Sequence, residues 1–292
     1  MFKPNGTSLR LLMMFLFSIC FVMSSSAQTN LGGIWLADYT EDRGDRIPGP
    51  ALGDYGGLPI NEFDRLRAQS WNASLLGLPE YQCRVHPSDY AQSFNNISIR
   101  EERDPRTLEL IAIHLEHFVW QTHRVIWMDG REHPPEYAAH TSMGFSTGEW
   151  LGSTLKVTTT HLKEGWLRRN GVARSDQAIV TEYFNRHDDY LVWTVIVDDP
   201  IYLEEPFIRN RNYTYSRDTQ IVTYPCESVR EIVHEPGYIP HYLPGQNPDL
   251  FEFADTYDIP YEATMGGART MYPEYRKVAR DLPLPSAMQN QE

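Results

Sequence analysis

Positive charge and cysteine are both scarce in this sequence, and each scarcity excludes something. Lys and Arg number 26 against 39 Asp and Glu, a net charge of −13. A chain so acidic repels phosphate backbones and anionic membrane surfaces, which argues against a nucleic-acid partner. The three cysteines form no pair at zinc-binding spacing, and no H-E-x-x-H occurs despite ten histidines. The nucleophile elbow G-x-S-x-G, the P-loop and the dinucleotide fingerprint are missing too, so no cofactor or metal is expected. Apolar runs long enough to span a bilayer are lacking as well. No repeat of fixed period and no low-complexity block interrupts the chain.

What is present begins with an export signal. Lys3 and Arg10 precede an apolar run from Leu11 to Met23, followed by the small residues Ser24 to Ala27. That layout predicts a signal peptide over residues 1–27, and hence an exported protein, periplasmic or secreted, with no stable membrane insertion after cleavage. Ile19 before Cys20 is not the small residue that a lipid-anchoring site requires. The mature chain would carry 24 basic and 39 acidic residues, a net charge of −15. It would keep only Cys83 and Cys226, which in an exported protein invites one long-range disulfide, the alternative being two buried thiols.

The apolar pattern predicts a mainly β fold. From residue 96 to 226 it is short and alternating: LELIAIHL (108–115), FVWQTHRVIWM (118–128), STLKVTTTH (153–161), QAIVTEYF (177–184), YLVWTVIV (190–197), FIRNRNYTY (207–215) and TQIVTYP (219–225). Hairpin-length gaps separate several of these runs, and Asp129-Gly130 is a hairpin signal. Such a run of strands predicts an antiparallel meander that closes into a barrel, because open edges aggregate. Residues 28–95 read as a first strand followed by an irregular segment, with one short helix at 61–71 capped by Asn61. Residues 227–292 read as an extended arm over the barrel, with a helix at 273–282.

Gly33-Ile34-Trp35 at the start of the first strand resembles the G-x-W pattern of lipocalins and wider calycins, which implies a tryptophan plugging one end of the barrel. The segments HRVIWMDGREHP (123–134), GFSTGEWLGSTLKVTTT (144–160) and VTEYFNRHDDYLVWTVIVDDPIYLEEP (180–206) are similar to a large family of exported bacterial proteins of unassigned function. Those carry D-G-R-x-H-P, G-x-W-x-G-x-T-L-x-V and D-D-P in this order. The resemblance implies architecture and no particular chemistry.

Alternation along the strands sorts side chains by face. His161 shares a face with Leu155, Val157 and Thr159, and Glu182 with Val180 and Phe184. Arg209, Arg211 and Tyr213 share another, and His123 lies with Val125 and Trp127. An interior group of His161 and Glu182 as acid–base pair, with Arg209, Arg211, Tyr213, His123 and Trp127 as ligand-binding residues, is therefore expected. The alternative is an internal ion pair of Glu182 with an arginine, with His161 merely ending a strand. Lys163, Arg168 and Arg169 in LKEGWLRRNG (162–171) read as a solvated connection, the alternative being a lid for an anionic ligand. Asp198-Asp199 and Glu204-Glu205 are no catalytic pairs, since strand neighbours point to opposite faces. The function expected is binding of a small hydrophobic or amphipathic molecule, anionic ones included, in the barrel. The alternatives are a cofactor-independent acid–base enzyme (lyase, isomerase or hydrolase) using the same cavity and an envelope interaction protein. Oligomeric state is left open.

Overall fold

A computed structural model describes residues 29–38, 50–71, 83–91, 96–117, 122–220, 227, 235–237 and 241–286. The expected signal peptide, Cys226 and most of the run at 219–225 lie outside the described residues.

Nine strands close into a barrel. They are β1 (Gly33–Ala37), β2 (Ile97–Arg103), β3 (Leu110–His117), β4 (His123–Trp127), β5 (Phe145–Leu151), β6 (Thr154–Thr160), β9 (Ile179–His187), β10 (Tyr190–Asp198) and β11 (Phe207–Ser216). A two-stranded ribbon of β7 (Gly165–Trp166) and β8 (Ala173–Arg174) stands between β6 and β9. Around the barrel each strand lies beside its chain neighbour, with that ribbon looped out, and β1 pairs with β11 to leave no open edge. The inward positions are apolar as the alternation requires, Leu155 and Val157 on β6 and Leu191, Trp193, Val195 and Val197 on β10 all being buried.

One junction departs from a pure meander. Strands β4 and β5 run parallel, Ile126 lying opposite Ser146. A parallel pair needs a crossover, because the chain must return to the end it started from. Asp129-Gly130 therefore opens a long connection and not a hairpin. Its Asp129 carboxylate accepts from the backbone and guanidinium of Arg131. Gly148 on β5 faces inward, where a Cβ would stand 2.5 Å from Met128 Sδ. The barrel closes tightly over that missing side chain.

Both barrel ends are covered. At one, Trp35 is fully buried, donates from Nε1 to Leu31 O at 2.9 Å and meets the Tyr215 ring edge-on at 5.2 Å. The Arg186 guanidinium lies 5.1 Å from its ring centre. A side chain at Gly33 would strike the Tyr215 ring, so the G-x-W glycine makes room for the plug.

At the other end sit α1 (Glu62–Gln69), capped by Asn61 as expected, α2 (Ser88–Ala91) and the β7–β8 ribbon. The expectation of a solvated connection at 162–171 is corrected in part: Lys163 and Glu164 are exposed, but Leu162, Leu167, Asn170 and Gly171 are buried, as are Val172, Ala173 and Arg174 just beyond them. Leu167 O accepts from Arg209, Asn170 donates to Ala51 O, and Arg168 donates to Asp54 O. The ribbon is the lid of the barrel, held by its own polar groups.

The C-terminal arm is less extended than expected. It holds α3 (Glu252–Tyr257), α4 (Tyr261–Thr264), a 3-10 turn (Ala268–Met271) and α5 (Tyr275–Arg280). It packs chiefly on residues 50–71, through Asn247 to Gln69 O and Trp71 O, Tyr55 N to Thr264 O, and Gly267 N to Leu58 O. No helix among the described residues is long and apolar enough to cross a membrane.

Candidate functional site

Inside the barrel the dominant polar feature is an ion pair between Arg124 and Glu182, both out of contact with solvent. Two guanidinium nitrogens of Arg124 donate to the two carboxylate oxygens of Glu182. Arg124 also donates to Ser146 Oγ at 3.1 Å and Thr159 Oγ1 at 2.7 Å, and Glu182 accepts from Trp193 Nε1 at 3.1 Å. Each charge is thus matched and hydrogen-bonded, the condition a buried pair must meet. Arg209 is not its partner. Glu182 and Arg209 both lie opposite Val195, on either side of β10. Arg209 instead donates to Leu167 O and Asp89 O, and Arg211 to Asn210 O. Tyr213 is buried, its ring 6.2 Å from that of Trp193. Trp193 itself stacks on Phe184 at 4.9 Å. These buried side chains point into the barrel together with the Arg124–Glu182 pair.

Arg124 was missed in the sequence because HRVIW has apolar residues on both faces. Period two cannot say which face is inside. The ladder decides: Arg124 pairs with Leu115 and Ile126 with Ile113, all inward, which leaves His123, Val125 and Trp127 outside. His123 and Trp127 therefore do not line the interior, and Trp127 lies beneath Arg131, whose guanidinium is 3.5 Å from its ring centre.

His161 does not point into the barrel either, and it never meets Glu182. Its backbone is left-handed, φ 57°, which ends the alternation one residue after β6. The ring turns to the outer wall and joins a chain of hydrogen bonds. His161 Nε2 meets Pro135 O at 3.0 Å, and its Nδ1 meets Thr160 Oγ1 at 2.7 Å. Thr160 Oγ1 meets His133 Nδ1 at 2.8 Å, and His133 Nε2 meets Thr147 Oγ1 at 2.8 Å. A carbonyl only accepts, so with both rings neutral every proton in the chain is assigned. His161 donates to Pro135 O and accepts from Thr160, while His133 donates to Thr160 and accepts from Thr147. Burial and the nearby His161 hold His133 below the usual histidine range. All four ring nitrogens are engaged, so the histidine of the D-G-R-x-H-P turn and that of the T-T-T-H strand end together fasten the crossover to the wall.

A second histidine array on the outer wall has an open end. Glu102 on β2, His114 on β3 and His123 on β4 form a line. His114 Nε2 lies 2.6 Å from Glu102 Oε2, and His114 Nδ1 lies 2.8 Å from His123 Nε2, the rings parallel within 1°. His114 is buried and His123 exposed. The carboxylate fixes the tautomers, because it makes His114 carry its proton on Nε2. His114 Nδ1 then accepts from His123 Nε2–H, which leaves His123 Nδ1 as an acceptor with no hydrogen-bond partner among the described residues. A proton taken up there can pass to His114 beside Glu102. The only sequence signal for this array was parity, which puts His114 on the face opposite His117.

Among the described residues no three His, Cys, Asp or Glu side chains converge as a metal site. A groove of about 370 Å³ between Leu52 and α3, lined by Asp249, Glu252, Phe253 and Tyr257 among others, lies apart from both histidine arrays. Comparison with family models, with curated proteins and with solved structures finds no match.

Proposed function

We propose that this is an exported β-barrel protein that carries out cofactor-independent acid–base chemistry on its outer wall, with His123 as the proton-transferring group and Glu102–His114 as its relay. The observation that carries this is the ordered line from a carboxylate through a buried imidazole to an exposed one whose outer nitrogen is open. Carboxylate-backed imidazoles serve as general acids and bases because the carboxylate orients the ring and stabilises its charged form. Export rests on the N-terminal layout, and the kinship with the exported family on its motifs. Binding in the interior is the less favoured reading, because Glu182, the interior carboxylate, is already matched by Arg124 and Trp193.

The test is incubation of wild type, His123→Gln and Glu102→Gln with a metabolite extract, followed by mass spectrometry. The expected result is consumption of a compound by wild type, slowed by roughly 10²–10⁴-fold in His123→Gln and by less in Glu102→Gln. Equal consumption by wild type and His123→Gln, or none by either, refutes the proposal.

A further inference from the structure

Asp64 is the least satisfied carboxylate of the lid. It is fully buried on α1, and its Oδ1 accepts from Ala173 N of β8 at 3.1 Å, tying helix to ribbon. Its Oδ2 is buried with no hydrogen-bond partner. Charge on that oxygen would go unanswered, whereas a proton there removes the charge.

The groups around it offer little relief. On α1 itself, Arg67 is turned towards Glu164 and the Tyr202 hydroxyl. Glu164, which precedes β7, and Asp199, which follows β10, both add negative charge. Asp199 is itself committed to Ser175 and to the backbone of Ile201 and Tyr202. From the segment before α1 comes Tyr55, whose buried phenol is driven upward by burial and, more weakly, by Asp64 and Asp54, against the lowering effect of the Gly53 backbone.

We propose that Asp64 is a proton clamp for the lid: its neutral carboxyl holds α1 and the β7–β8 ribbon over the barrel end, and loss of the proton favours opening. Burial first, with Asp199 and Glu164 adding to it, raises the Asp64 carboxyl to about 7 in the closed state. In an open lid it returns to the ordinary value near 4. The clamp is therefore complete below about pH 4, weakens as pH rises, and is fully lost once pH passes about 7. Opening withdraws Leu167 O from Arg209, which keeps its bond to Asp89 O.

The test is amide hydrogen exchange of the full chain between pH 5 and 8, corrected for intrinsic rates and read on peptides covering 62–70 and 163–175. The opening constant is expected to rise about tenfold per pH unit between pH 5 and 6.5, with β10 unresponsive, and to be flat in Asp64→Asn. An equal slope in Asp64→Asn, no slope in wild type, or the same slope in β10 overturns the clamp. If Asp64→Asn does not fold, a ¹³C titration of the Asp64 carboxyl in wild type decides. A midpoint near 7 supports the clamp, and one in the ordinary carboxylate range overturns it.

Discussion

Replacing Arg124 with methionine should destabilise this protein more than any surface change. Arg124→Met keeps most of the aliphatic stem but deletes four donated hydrogen bonds: one to Ser146, one to Thr159 and two to Glu182. The larger effect lies in what remains, a carboxylate with no exposure and only Trp193 Nε1 and a 3.5 Å contact from Thr159 to answer it. Breaking a buried pair by removing one partner costs about 3–5 kcal/mol. For a domain of this size each kcal/mol lowers Tm by about 2–4 °C, so a fall of roughly 6–20 °C is expected. Arg124→Met/Glu182→Leu removes both charges and should recover most of the loss. It would fall short by about 1–3 kcal/mol, because Trp193 Nε1–H then lacks its acceptor. Thermal scans and urea titrations followed by tryptophan fluorescence measure both variants. A fall of under 3 °C in the single variant, or a double variant no better than the single one, would show that the pair does not brace the barrel as described.

Two further outcomes follow from the packing and the cysteines. Gly148→Ala places a methyl 2.5 Å from Met128 Sδ and 3.1 Å from Ile126 Cγ2, so the urea midpoint should fall by an amount equivalent to about 1–3 kcal/mol at unchanged m; a midpoint equal to wild type would mean the closure at β4–β5 is loose. If the chain is exported as proposed, it should hold a Cys83–Cys226 disulfide, found as one linked peptide in a non-reducing digest and contributing at most about 4–5 kcal/mol; free thiols at both positions would remove that crosslink.

The strands were legible because their burial repeats every two residues, and the apolar runs at 108–115, 153–161, 190–197 and 207–215 all fall on barrel strands. Asn61 was legible as a cap for a local reason, its side chain meeting an amide three residues on. The candidate sites were harder. Parity put Glu182 inside correctly, since Val180 and Phe184 flank it with two unambiguous apolar neighbours. The same rule failed at His161, where a single left-handed residue reverses the side chain, and at His123, where both faces of the strand carry apolar residues. It also gave no warning that Leu167 and Asn170 of LKEGWLRRNG are buried, because the ribbon satisfies its polar groups through Asp54, Ala51 and Arg209, all distant in sequence.

By itself, then, the sequence determined a β-rich chain with alternating faces, a strongly acidic balance and a first-strand tryptophan, all properties carried by a few adjacent residues. Which strands run parallel, which arginine meets Glu182, and which histidines end in a carbonyl and which in solvent were decided only by the closed barrel. Those contacts join β2 to β3, β3 to β4, β4 to β9, and the 128–144 crossover to β5 and β6. Register around a closed sheet is a global property: every strand must fit both neighbours at once, and no short stretch of sequence encodes that condition.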